Sequence, residues 1–272
     1  MIWRVAGEEL VVVKQMEHAR LAADLAAEVG NAQFASPMPR GPMLDAAAMH
    51  DCGWPAHDDA PTITAHGAPA HALEMPLGVM LPIWSASTDS SAAKNPYAGL
   101  LVSLHGLHLS LRAHVDPSAT PLVFALNKFQ HRQIEVQEEL RKRLAMRIDK
   151  PLRYGLAEPN SAAEEDLLRF NFTLLEMADQ LSLNLCFGEI RLPQIDHVPV
   201  RPGGQFVSVR FAIGPAGEYS VFPWPFGREE FEVSFTVRSI PARRYTDHDD
   251  LRRALNSAAD RKQSLRLRRQ VS

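Results

Sequence analysis

An α+β fold, with a mainly helical core and an accessory antiparallel sheet, is what the sequence predicts, and three observations carry it. Residues 1–13 read as a hairpin, because Trp3–Val5 and Leu10–Val13 are β-branched or aromatic runs on either side of the turn-like Ala6-Gly7-Glu8-Glu9. Residues 14–187 are rich in Ala, Leu and Glu, with apolar side chains recurring at helical spacing. Over residues 205–241 the period falls to two: Val207, Val209, Phe211 and Ile213, then Phe231, Val233, Phe235 and Val237 alternating with Glu232, Ser234, Thr236 and Arg238. The expected organisation is a single domain over residues 1–272. It comprises a helical core at 14–187, a sheet from 1–13 and 205–241, and a C-terminal helix at 247–265.

Taken in order, Gln15 to Val29 is the first helix, with Leu21, Leu25 and Val29 on one stripe. The segment Ser36 to Pro42 breaks the chain, and Leu44 to Cys52 forms a short Ala-rich helix that Gly53 can end in the left-handed conformation. Trp54 to Asn95 carries Pro55, Pro61, Pro69, Pro76 and Pro82 and a Ser-rich tract without sustained period, the composition of a long loop acting as a lid. Pro96 opens a helix striped by Leu100, Leu104, Leu107 and Leu111. Asn127 to Met146 is a charged helix with Glu138/Lys142 and Glu139/Arg143 at the supportive spacing. A capping box, Ser161 to Glu164, begins an apolar helix running to about Cys186. Arg191 to Gly204 is a loop, and after the strands a final helix starts near Asp247 and runs into the basic tail Arg261 to Arg269, where cations suit the helix dipole.

Composition removes several classes of function. Lys plus Arg total 29 against 32 for Asp plus Glu, so no basic field invites nucleic acid. The longest stretch free of Asp, Glu, Lys and Arg is Asn95 to Leu111, 17 residues with two histidines, too short and too polar for a membrane span. Only two cysteines, Cys52 and Cys186, are present, so neither a disulfide framework nor a thiolate zinc site is expected. With no secretory signal visible at the N-terminus, the expectation is a cytoplasmic protein. There is no GxGxxG, P-loop, GxSxG or HExxH.

What the sequence does carry is His18, the adjacent pair His50-Asp51, His105 and Asp179, in the segments QMEHARLA, AAMHDCGW, LVSLHGLHLS and EMADQLSL. Each falls on an expected helix among apolar neighbours. Neighbours on a helix diverge by about 100°, so His50 and Asp51 can both reach an ion over the helix side. A carboxylate such as Asp179 in an apolar helix is costly to bury without a partner. Imidazole and carboxylate ligands together suit a five- or six-coordinate divalent ion with positions free for water and substrate.

The order of these residues resembles the HD-domain metal-dependent phosphohydrolase superfamily: His, then His-Asp on the next helix, then a remote Asp. The whole chain more closely resembles the uncharacterised family called domain of unknown function 3891, through its hairpin, QMEHARLA, MHDCGWPAHDDAP, NPYAGLLVSLH, MADQLSL and the C-terminal strands. The superfamily resemblance implies an HD-like helical core with His18, His50, Asp51 and Asp179 as ligands of a divalent ion. Mn, Fe, Mg, Zn, Ni and Co are not distinguished. It also implies a small phosphoester substrate, a nucleotide among the choices. His105 then stands on the substrate side or at a second ion, and Asp58 matches an acidic position that caps a loop, supports a ligand or touches substrate. Trp54 departs from the superfamily pattern and is read as packing or base stacking. Cys52 lacks an activating base and is read as a small buried residue, and His131 as exposed. Two alternatives stay open: a di-iron oxygenase, which His105 and His108 permit, and a non-catalytic binding or regulatory protein; a homo-oligomer is compatible with every reading.

Overall fold

A computed structural model describes residues 1–144, 163–215 and 217–270. The chain enters through strands β1 (Ile2–Ala6) and β2 (Glu9–Val13), paired antiparallel around a turn where Gly7 sits at φ +64. Helices α1 (Gln15–Glu28), α2 (Arg40–Met49), α3 (Pro55–Asp59), α4 (Leu77–Lys94), α5 (Pro96–Arg112), α6 (Thr120–Arg143) and α7 (Ala163–Phe187) follow. Strands β3 (Gln194–Pro199), β4 (Phe206–Ile213), β5 (Tyr219–Phe222) and β6 (Glu230–Pro241) lead to α8 (His248–Ser257) and β7 (Arg261–Arg268). This is an α+β architecture. Among the described residues, no helix is long and apolar enough to cross a membrane.

The seven strands form one sheet in the order β1-β2-β6-β7-β5-β4-β3. The hairpin joins the C-terminal strands through β2 and β6, with Leu10 opposite Ile240. Val11 and Val13 of β2 enter the main core with the helices, whereas Leu10 and Val12 enter a smaller core with Leu251 and Leu255 of α8. Both faces of β2 are therefore covered, which is why its apolar run is continuous instead of alternating. Helix α7 is the apolar spine: Leu168, Phe172, Leu175, Ala178 and Leu181 are all buried, and α1, α2, α5 and β3 pack against it.

Five readings of the sequence are corrected. Residues 54–95 are not a structureless lid, because α3, a 3-10 turn at Ala72–Glu74 and α4 together fill most of that stretch. An interior proline such as Pro82 costs a helix about 3 kcal/mol, but burial of Leu81, Ile83 and Trp84 offsets this at about 1.5–3 kcal/mol each. One side of the Ser-rich tract, Ser87, Thr88 and Ser91, is buried too. Ser85 donates to the Leu81 carbonyl at 2.9 Å, Ser87 accepts from the Gly53 amide at 2.9 Å, and Thr88 donates to Gln133 at 3.2 Å. The expected C-terminal helix at 247–265 ends at Ser257, and the basic tail becomes β7, paired antiparallel along β6 with Phe231 opposite Leu267. Its Gln263, Leu265 and Leu267 alternate with exposed Lys262, Ser264 and Arg266, a period of two that helix-like composition masks. The sheet is mixed, since β7 meets β5 in parallel at Tyr219 and Leu267, and the expected loop 191–204 contains β3. Gly53 is not left-handed: it is small because a Cβ would lie 2.2 Å from the Ile83 carbonyl oxygen.

Some boundaries also move. Helix α2 begins at Arg40, inside the expected break, and α6 at Thr120. The end expected for α6 at Met146 and the capping box at Ser161 lie outside the described residues. Asn95 caps α5 by accepting from the amides of Tyr97 and Ala98 at 2.9 and 3.3 Å.

Close helix approach is the feature that positions the site, and α4 and α5 meet most tightly at Gly99, where a Cβ would fall 2.4 Å from the Ala92 Cα. Gly99→Ala should therefore destabilise the protein by at least 1–3 kcal/mol, roughly the cost of overpacking a core. Gly78→Ala, where a Cβ meets nothing within 4 Å, should be neutral or gain up to about 1 kcal/mol. Denaturant unfolding of both variants checks this, and equal effects would contradict the packing argument.

Candidate metal centre

Four helices bring polar side chains to one point. His18 lies in the first turn of α1, His50 caps the C-terminus of α2 with Asp51 directly after it, His105 lies mid-way along α5, and Asp179 lies on α7. Their apolar neighbours bury α1, α2, α5 and α7 against one another, so each polar residue is carried inward by the stripe around it. The three histidines are fully buried, while Asp179 keeps 15% of its side chain exposed.

Hydrogen bonding decides which ring atoms face the centre. Nδ1 of His50 lies 2.8 Å from the Ala47 carbonyl, which only accepts, so Nδ1 carries the proton. Ser182 donates its hydroxyl to the Asp179 carbonyl at 2.8 Å and accepts from Nδ1 of His18 at 2.8 Å. Nδ1 of His105 donates to the Glu176 carboxylate. In all three neutral rings Nε2 is then the free lone pair.

Those Nε2 atoms converge with carboxylate oxygens. His18 Nε2 and His50 Nε2 are 3.2 Å apart, and Asp179 Oδ1 stands 2.9 Å from the first and 3.4 Å from the second. Ligand atoms about 2.1 Å from a common ion stand about 3.0–3.4 Å from each other. His18, His50 and Asp179 accordingly form a group with the spacing to hold a metal ion. Asp51 Oδ2 is further out, 3.8 and 3.7 Å from the two nitrogens. His105 Nε2 faces the other oxygen of Asp179, Oδ2, at 3.8 Å.

The electrostatics follow from this crowding. Burial alone would lower the His50 pKa, but the negative charges of Asp51 and Asp179 reverse that and push it up to about 9. Burial would raise the Asp179 carboxyl; its close contacts with His18 and His50, and the positive charge of a protonated His50, hold it well below the usual carboxylate range. His105 is raised against its burial by Glu176 and Asp179, whereas burial lowers His108.

Other candidates are placed elsewhere. Asp58 does not join the cluster: its Oδ2 accepts from the Gln15 amide at 2.7 Å, and Oδ1 lies 3.1 Å from the Met1 amino group. Its carboxylate anchors the start of α1. Trp54 is a packed core residue with no face open to a base. Cys52 donates to the Ser87 carbonyl at 3.6 Å, and burial raises its thiol pKa, which does not suit a nucleophile. His131 is exposed.

Sequence reasoning missed Glu176, Ser182 and Gln15. Glu176, Asp179 and Ser182 stand three apart on an apolar helix, a polar stripe that a face-by-face reading would have found. Gln15 carries no such signal. Its Nε2 donates to Asp51 Oδ2 at 3.0 Å only because α1 and α2 pack together.

The model of a family described as "Protein of unknown function (DUF3891)" matches residues 1–242, a span that includes every residue of the cluster and ends before α8 and β7. No curated protein and no solved structure matches the chain.

Because the folded pKa of His50 is about 9 and an unfolded histidine titrates near ~6.5, the folded state binds more protons between these values. Raising pH across this window should therefore reduce stability, on the order of 1–3 kcal/mol. Unfolding of chelator-treated protein from pH 6.5 to 9.5 measures it, and a stability that is flat or rising would contradict the assigned charge state.

Proposed function

The chain belongs to the DUF3891 family of proteins of unknown function, and within it we propose a metal-dependent phosphoester hydrolase whose divalent ion is held by His18, His50 and Asp179, with Asp51 completing the set. The observation that carries this reading is the convergence of two buried imidazole lone pairs and a carboxylate oxygen within 2.9–3.4 Å. Lone pairs so placed repel unless a positive charge lies among them. The donor set is mixed nitrogen and oxygen, which favours a borderline divalent ion such as Mn, Fe, Co, Ni or Zn over Ca. The ligand order His, His-Asp, Asp agrees with an HD-type centre.

A bound divalent ion would supply Lewis-acid polarisation of a phosphoryl oxygen and acidify a water to a pKa of roughly 7. The chain's own residues supply the rest. Ser182, Ala47 and Glu176 fix the tautomers of His18, His50 and His105, so each ring presents Nε2 without rearrangement. The 15%-exposed Asp179 and the 24%-exposed His108 mark where the centre meets solvent. Arg112, exposed and 3.4 Å from His108, gives that mouth a cation for an anionic substrate group.

A second reading is favoured by one observation: Asp179 divides its oxygens, Oδ1 toward His18 and His50 and Oδ2 toward His105. A carboxylate shared in this way can bridge two ions, as a di-iron oxygenase requires. Metal stoichiometry separates the readings.

Elemental analysis of protein purified without added metal should find one equivalent of a divalent ion, and His50→Ala and Asp179→Ala should each lose it. Hydrolysis across a phosphoester panel should fall at least about 100-fold in both variants and in chelated wild type. Two equivalents of iron with oxygen consumption would favour the second reading. Metal without hydrolysis would favour a binding protein, and no metal after reconstitution would overturn the assignment.

A further inference from the structure

We propose that Gln15 is a positioning residue that holds Asp51 against the ion. The inference rests on the reading of the cluster as an ion site, and it adds a residue to which no role in that site has been given. A glutamine at the first position of a helix normally lies in solvent, yet Gln15 is only 4% exposed. Burial of an amide is costly unless its polar atoms find partners.

Two hydrogen bonds account for its placement. Asp58 Oδ2 accepts from the backbone amide of Gln15 at 2.7 Å, which fixes where α1 begins, and the neighbouring Lys14 pairs with Asp59 at 2.7 Å. The side-chain Nε2 then donates to Asp51 Oδ2 at 3.0 Å. A carboxylate only accepts, so the amide must face Asp51 with its nitrogen. Its Oε1 is left buried and without a hydrogen-bond partner among the described residues.

Gln15 and His18 are three residues apart and share a face of α1. One helix therefore presents a ring nitrogen to the ion and an amide to the carboxylate beside it. Asp51 needs that support more than Asp179 does, because its oxygen stands 3.7–3.8 Å from the histidine nitrogens and its backbone follows the end of α2 instead of lying within a helix. The same chain of contacts gives Asp58 an indirect part, since it anchors the residue that aims Asp51.

The test is a double-mutant cycle on Mn(II) affinity in chelated, refilled protein, using Gln15→Met, Asp51→Asn and the double variant. Gln15→Met should weaken Mn(II) binding by about 10- to 100-fold. In the Asp51→Asn background the same change should cost less than about 3-fold, because its target is gone. Gln15→Asn keeps an amide but withdraws it by one methylene; it should lose the same affinity, and it serves if Gln15→Met does not fold by circular dichroism. Unchanged affinity in the Gln15 variants, or equal losses in both backgrounds, would overturn the proposal while leaving the ion site intact. Wild-type protein that binds no Mn(II) would remove the ion site and this inference together.

Discussion

Two imidazole nitrogens 3.2 Å apart on buried rings, both turned inward by bonds that commit their Nδ1 protons elsewhere, form a constraint the remainder of the molecule has to satisfy. Asp179 Oδ1 adds a negative charge at 2.9 Å from His18 Nε2. A cation among these atoms relieves that crowding. In the metal-free chain it is the proton held by His50, whose pKa is raised by Asp51 and Asp179. A divalent ion would displace that proton, so metal binding and acid–base state are linked at this point.

Holding such an arrangement requires rigid helices at close range. Glycines at positions 53 and 99 let α2, α4 and α5 approach until backbone meets backbone, and α7 contributes an almost continuous apolar face. The sheet steadies α1 from behind: Glu17 accepts from the Thr236 amide at 2.7 Å, and Arg20 donates to the Ser234 carbonyl at 2.7 Å. Alternate sides of α1 thus serve different tasks, with Gln15 and His18 turned to the centre and Glu17 and Arg20 to β6. Removing one polar partner from the centre is expected to cost more than any surface ion pair, because an orphaned buried charge has no solvent to fall back on.

The candidate site was legible to the extent that residue type alone reveals it. His18, His50, Asp51, His105 and Asp179 stand out as polar residues in apolar helices, and α1, α2, α5 and α7 bring them together. Asp58 looked equivalent by type and is not, since it terminates at the Gln15 amide. Gln15 looked inert and lies against Asp51. Neither difference has a local signature, because a hydrogen bond between residues 36 positions apart depends on helix packing and not on neighbours in the chain.

The sequence by itself determined the α+β class, the helices α1 and α5 and the strands β4 and β6 through their hydrophobic period, α7 through its apolar composition, and β1 and β2 through β-branched and aromatic runs around a turn. Only the tertiary structure decided that the Pro- and Ser-rich stretch folds as α4, that the basic tail is β7, and that Glu176, Ser182 and Gln15 support the centre. The physical reason is one of scale. Local propensities differ by only about 1 kcal/mol per residue for all but proline. Burial of Leu81, Ile83 and Trp84, or the full pairing of β7 along β6, is worth several times as much, roughly 1.5–3 kcal/mol for each large apolar side chain. Where those two scales agree the chain can be read locally, and where they oppose each other packing prevails.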